Sequence, residues 1–156
     1  MRSWRKFRDL SPTDRRLLLQ ASALLICARL GLRFIDFRVD SRPDDATLVA
    51  ATPAPDVDRA VAMARLVGIA SAHTPVAVAC LHRSVVLWWL LRRNGIPCEL
   101  RLGARTGSSP FSAHAWVQCA GVALNEDAAQ LQQYAPFAQA VVPVGARRWR
   151  RPAIAQ

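Results

Sequence analysis

The strongest constraint on the fold is one stretch, Ala79 to Pro97. From Leu81 to Leu91 it is apolar on most sides, and only His82, Arg83 and Ser84 interrupt it. A helix without a polar face is normally buried, so the stretch predicts a core helix on which the other elements pack. Asn94-Gly95 should stop it, because either residue takes the left-handed conformation that closes a helix, and Pro97 prevents a restart. Cys80 then lies near the N-terminal end of a buried helix. There the unpaired N–H groups and the helix dipole favour a thiolate, the state a nucleophilic cysteine needs. A small buried apolar role would suit the same residue.

The segment after the helix weighs on that choice. Cys98 to Leu102 alternates apolar and charged residues, the period of a half-buried strand. Residues 106–112 read as a loop, Ala113 to Cys119 as a second strand, Ala120-Gly121 as a turn and Val122 to Glu126 as a third strand. A cysteine at a helix start, a histidine on a strand and a carboxylate one hairpin later are the parts of a thiol triad. In such a triad the imidazole of His114 takes the thiol proton and the carboxylate fixes the ring. A two-residue turn would place Asp127 opposite His114 and turn Glu126 to the other face.

Five short motifs occur in order: Cys-Leu-x-Arg-Ser at 80–84, Leu-Leu-Arg-Arg-x-Gly-Ile at 90–96, Leu-Gly-x-Arg at 102–105, His-Ala-Trp-Val at 114–117 and Leu-Asn-Glu at 124–126. Together, over about residues 57–137, they resemble the transglutaminase-like cysteine peptidases that process lasso-peptide precursors. The resemblance implies an α+β, papain- or transglutaminase-like fold. It also implies a peptidase that removes the leader before a separate ATP-dependent macrolactam synthetase closes the ring. The chain resembles the stand-alone peptidase half of a split system, which implies a small separate leader-recognition protein as partner. In the family motif the acid directly follows Leu-Asn, which is Glu126 here, and a longer turn or a bulge would bring it to the histidine face. The expected site is therefore Cys80, His114 and Glu126, with Asp127 in reserve and the Cys80 N–H as first oxyanion donor. No metal or cofactor is expected. The same parts would serve acyl transfer to an amine, or remain in a peptide-binding module that does no chemistry.

With 156 residues, 52% of them hydrophobic, the chain is expected to form one domain. Its segments read as a basic N-terminal arm and helix over 1–35, a connection rich in Asp and Pro over 36–56, the catalytic core over 57–142 and a basic tail over 143–156. Ser11-Pro12-Thr13-Asp14 is a good helix start, with serine as cap and proline in the first turn. Leu17 to Ala28 behind a basic arm also has the look of a signal peptide's apolar region. Gln20 and Arg29 bound it more tightly than the roughly 20 apolar residues a membrane span needs. A packed helix and a cytoplasmic protein are expected, with membrane association a minor alternative.

A formal charge of +10 attracts anions, yet no zinc finger, RNP or basic-helix signature is present, so nucleic acid is not an expected partner. Cys27, Cys80, Cys98 and Cys119 are dispersed, without the spacing of a disulfide scaffold. His73, Cys80, His82, His114 and Cys119 match no usual zinc-ligand spacing. His73 and His82 are the rival bases, and His82, two residues after Cys80 on a helix, is turned away from it. The arm and helix, with Trp4, Phe7 and Leu10 among arginines, are the expected docking surface for the leader or its recognition protein.

Overall fold

The computed structural model describes residues 10–31, 37–39, 53–105 and 112–143. The arm before Leu10, with Trp4 and Phe7, and the basic tail after Pro143 lie outside them. Helix α1 spans Pro12–Gly31. Ser11 caps it as expected: its Oγ accepts the Asp14 N–H at 3.0 Å and donates to Asp14 Oδ2 at 2.8 Å. Ala21 and Leu25 are fully buried, and Leu17, Leu18, Leu24 and Ala28 pack on the same core.

Helix α2, Ala54–His73, begins three residues before the expected Val57 and so takes the last residues of the supposed connection. Pro55 lies in its first turn, where its missing N–H breaks no helical bond. Ala60, Met63, Ala64, Val67 and Ala70 form its buried face at helical spacing. Thr74 ends it by donating its hydroxyl to the Ala70 carbonyl at 2.7 Å.

Helix α3, Cys80–Arg93, is the core helix. Its end is a two-bond reverse turn: Gly95 N–H reaches Arg92 O at 3.1 Å, and Ile96 N–H reaches Leu91 O at 3.0 Å. Gly95 has φ 77°, the left-handed geometry expected of the Asn94-Gly95 stop. Ile96 and Leu91 are both buried beside it, completing the apolar contact such a turn favours. Val86, Leu87, Leu90 and Leu91 are also buried, and sequestering each such side chain contributes about 1.5–3 kcal/mol.

The antiparallel sheet has the order β1 (Phe37–Val39), β6 (Val141–Pro143), β2 (Glu99–Ala104), β3 (Ala113–Cys119), β4 (Val122–Ala123). Strand β5 (Ala135–Pro136) pairs with the far end of β2. Strand β1 falls in the segment read as a connection; three residues are too few to show an alternating pattern. Between β2 and β3, Leu100 faces Val117 and Gly103 faces His114. Leu100, Val117 and Cys119 join the helical core, so the intervening His114 and Trp116 share the other strand face. The architecture is α+β, three helices on a small antiparallel sheet, as expected.

Candidate active site

Cys80 is the first residue of α3 and half-buried. Ala79 before it is extended and supplies no side-chain cap, so the first-turn N–H groups are left without a side-chain acceptor. Arg83 and Ser84 follow Cys80 by three and four residues and lie on the same helix face. Both reach across to the segment after β4, and Ser84 also to the sheet. Ser84 Oγ, fully buried, donates to the Ala115 carbonyl at 2.8 Å and accepts Asn125 Nδ2–H at 3.0 Å. Arg83 Nη2 binds Glu126 Oε1.

The expected hairpin forms, with Gln118 opposite Ala123 and with Ala120 and Gly121 at φ 48° and 80°. These positive angles are what a tight two-residue turn needs. The third strand is nevertheless shorter than the expected 122–126, because pairing ends at Ala123. Leu124 N–H still reaches Val117 O at 3.0 Å, but the Val117 N–H is taken by the side chain of Asn125 at 2.8 Å. Strand parity therefore does not extend to residues 126 and 127. The chain bends, and Glu126 Oε1 comes to 3.2 Å from His114 Nε2. Asp127 turns instead to the Ala129 N–H at 3.1 Å, at the start of the single helical turn α4 (Ala128–Leu131).

The Glu126 side chain is 8% exposed and that of His114 16%. Their contact falls short of a directed hydrogen bond. Two aromatic rings flank the imidazole. Tyr134 lies 5.0 Å away at 28° and Trp116 6.5 Å away at 19°, centroid to centroid. Trp116 is almost fully buried, so it both fills the fold and walls the site. Tyr134 is a site residue that the sequence did not disclose. It follows α4 by three residues in an unpatterned segment, and the Arg105 guanidinium lies over its ring, 5.6 Å from the centroid.

The rivals are occupied elsewhere. His73 is exposed at the end of α2, its Nδ1 2.8 Å from the Ile69 carbonyl. Burial holds the His82 proton affinity below the usual imidazole range, and Arg29 of α1 lowers it further. Cys98 and Cys119 are buried and Cys27 is exposed on α1. Among the described residues no three His, Cys, Asp or Glu side chains converge as metal ligands, and no helix is long and apolar enough to cross a membrane.

Comparison with known proteins agrees with this architecture. The model of the transglutaminase-like superfamily matches residues 18–139, from within α1 to beyond β5. No curated protein and no solved structure matches the chain.

Proposed function

Because the chain belongs to the transglutaminase-like superfamily, which includes cysteine peptidases and acyltransferases, we propose that it is a cysteine peptidase that removes the leader from a lasso-peptide precursor. The observation that carries the reading is Glu126 against His114, beside the helix that begins with Cys80. The specificity for a lasso precursor rests on the resemblance of the five motifs.

In this reaction the Cys80 thiolate attacks the carbonyl at the leader–core junction. The first-turn N–H groups of α3, that of Cys80 first, receive the oxyanion. Nε2 of His114 faces the carboxylate, so Nδ1 exchanges the proton with the thiol and then gives it to the leaving amine of the core peptide. The leader remains as a thioester on Cys80. Water, losing its proton to His114, releases it. Glu126 keeps the ring oriented and balances the imidazolium. Trp116 and Tyr134 restrict water around the pair. The free amine of the core is then the group a macrolactam synthetase needs.

A separate leader-recognition protein is the partner this reading assigns. Helix α1 supports an interface: beside its buried face, Leu19, Ala23, Ile26 and Leu30 recur at helical spacing on an exposed one, with Leu19 and Leu30 at 62% and 68% exposure. Arg16 and Arg29, also exposed, flank that stripe, and they suit a partner with an apolar ridge and an acidic rim. Incubating precursor, leader-recognition protein and either wild type or Cys80→Ala, followed by mass spectrometry, tests the function. Leader plus free core from wild type alone is expected. A cross-linked peptide would make the enzyme an acyltransferase, and equal product from Cys80→Ala would overturn the reading.

A further inference from the structure

We propose that Arg83 is the positioning residue of this site: from the helix that presents Cys80, it holds Glu126 against His114. The inference rests on the reading of Cys80, His114 and Glu126 as the working triad. Three observations carry it. First, both neighbours of Glu126 use the same atom, since Oε1 receives Arg83 Nη2 and faces His114 Nε2. Second, the main chain does not fix this carboxylate. Strand pairing stops at Ala123, and Glu126 sits in the bend between Asn125, whose side chain takes the Val117 N–H, and Asp127, which opens α4; these bonds hold the chain on either side and leave the glutamate side chain to be aimed by its own contacts. A glutamate with three free torsions on a bend needs another group to aim it. Third, at 8% exposure the carboxylate needs a cation or several donors to remain charged, and Arg83 supplies a cation that is itself mostly withdrawn from water, at 30% exposure.

The position of Arg83 on α3 gives the arrangement its value. Three residues after Cys80, it is tied rigidly to the nucleophile by one helical turn. The helix thus sets the thiol and, through Arg83 and Glu126, the base on the neighbouring strand. Arg83 touches no reacting atom. The charged and titratable groups linked to the imidazole are Glu126 after β4, Arg83 of α3 through Glu126, and Tyr134 with Arg105 over its ring.

The test is a double-mutant cycle on the full chain with Arg83→Gln, Glu126→Gln and both together, read by the rate of Cys80 alkylation by iodoacetamide at neutral pH and by the kcat and KM of precursor cleavage. Arg83→Gln should lower the alkylation rate and kcat about ten- to a hundredfold, the scale of a misplaced catalytic group, with KM little changed. Arg83→Lys, which keeps the charge, should recover part of the loss. In the Glu126→Gln background, Arg83→Gln should cost nothing more, because a residue that acts through another has no effect once that residue is gone. Independent, multiplying losses would overturn the proposal, as would wild-type reactivity in folded Arg83→Gln. Should Arg83→Gln not fold, Arg83→Lys carries the same cycle. Wild-type Cys80 reacting no faster than Cys27 would overturn the triad reading, and the role of Arg83 with it.

Discussion

Arg83 and Ser84 are consecutive residues of α3, and both bridge to consecutive residues after β4, yet the two bridges are built differently. The Ser84–Asn125 bridge is neutral and closed. Ser84 Oγ both donates and accepts, Asn125 Oδ1 takes the Val117 N–H, and Ser84 is fully buried. The Arg83–Glu126 bridge is charged and open, since its carboxylate also serves an imidazole whose Nε2 has no directed hydrogen bond. A fully satisfied buried network fixes structure, whereas an under-satisfied one keeps a site where a proton can be handled. The neutral bridge therefore joins helix to sheet, and the charged bridge aligns the chemistry across that joint.

The largest effects should fall on the charged side. Cys80→Ala and His114→Ala should each abolish measurable precursor cleavage, because members of a catalytic unit fail together. Glu126→Gln should hurt less, since the ring keeps its aromatic neighbours, and Asp127→Ala should stay close to wild type. Steady-state kinetics on the four variants ranks them. A damaging Asp127→Ala beside a mild Glu126→Gln would reverse the assignment of the acid.

Next come changes on the neutral side. Ser84→Ala leaves the Ala115 carbonyl and the Asn125 amide without their shared partner. It should cost about 1–3 kcal/mol of stability, read by denaturant or thermal unfolding, with cleavage per folded molecule largely kept. A kcat loss as large as that of Arg83→Gln, without destabilisation, would erase the distinction between the bridges.

These bridges also mark where sequence reasoning reaches and where it stops. The extent of α3, its Asn94-Gly95 stop, the capped start of α1 and the tight turn at Ala120-Gly121 were legible because local chemistry decides each. The acid was ambiguous because parity extrapolates a strand, and here the Asn125 side chain replaces the strand's own backbone two residues after pairing ends. Arg83 showed only as a charge in an apolar run and as one position of the Cys-Leu-x-Arg-Ser motif, and Tyr134 carried no local signal. Their roles come from contacts 43 and 20 residues away in sequence, with Glu126 and His114.

A smaller effect is expected at Gly103, opposite His114. A Cβ there would lie 2.9 Å from the Ala135 carbonyl and 3.1 Å from the Trp116 ring. Gly103→Ala must push β5 or the indole outward, so it should lower the melting temperature modestly and reduce cleavage by disturbing the wall beside the imidazole. Unchanged stability and activity would show that β5 yields freely and that Trp116 does not need its present place.

The smallest effect belongs to His82, the third polar residue in the apolar run, which faces neither bridge. Burial, then Arg29, lowers its proton affinity in the folded chain, and its Nδ1 is buried without a hydrogen-bond partner. With the folded value below the unfolded value of about 6.5, the unfolded chain binds the proton more readily as pH falls. Its contribution to stability is therefore fully present above about pH 6.5 and lost on acidification through that value toward the lower folded one. Between pH 7.5 and about 5.5 the melting temperature of wild type should fall more than that of His82→Leu, which carries no proton there. Cleavage by His82→Leu at pH 7.5 should remain near wild type, because a residue two places after Cys80 on a helix is turned away from it. Parallel pH curves for the two proteins would show that His82 titrates alike folded and unfolded. A large loss of cleavage would place it in the same coupled unit as Arg83, and the separation of the polar residues of α3 into distinct tasks would then fail.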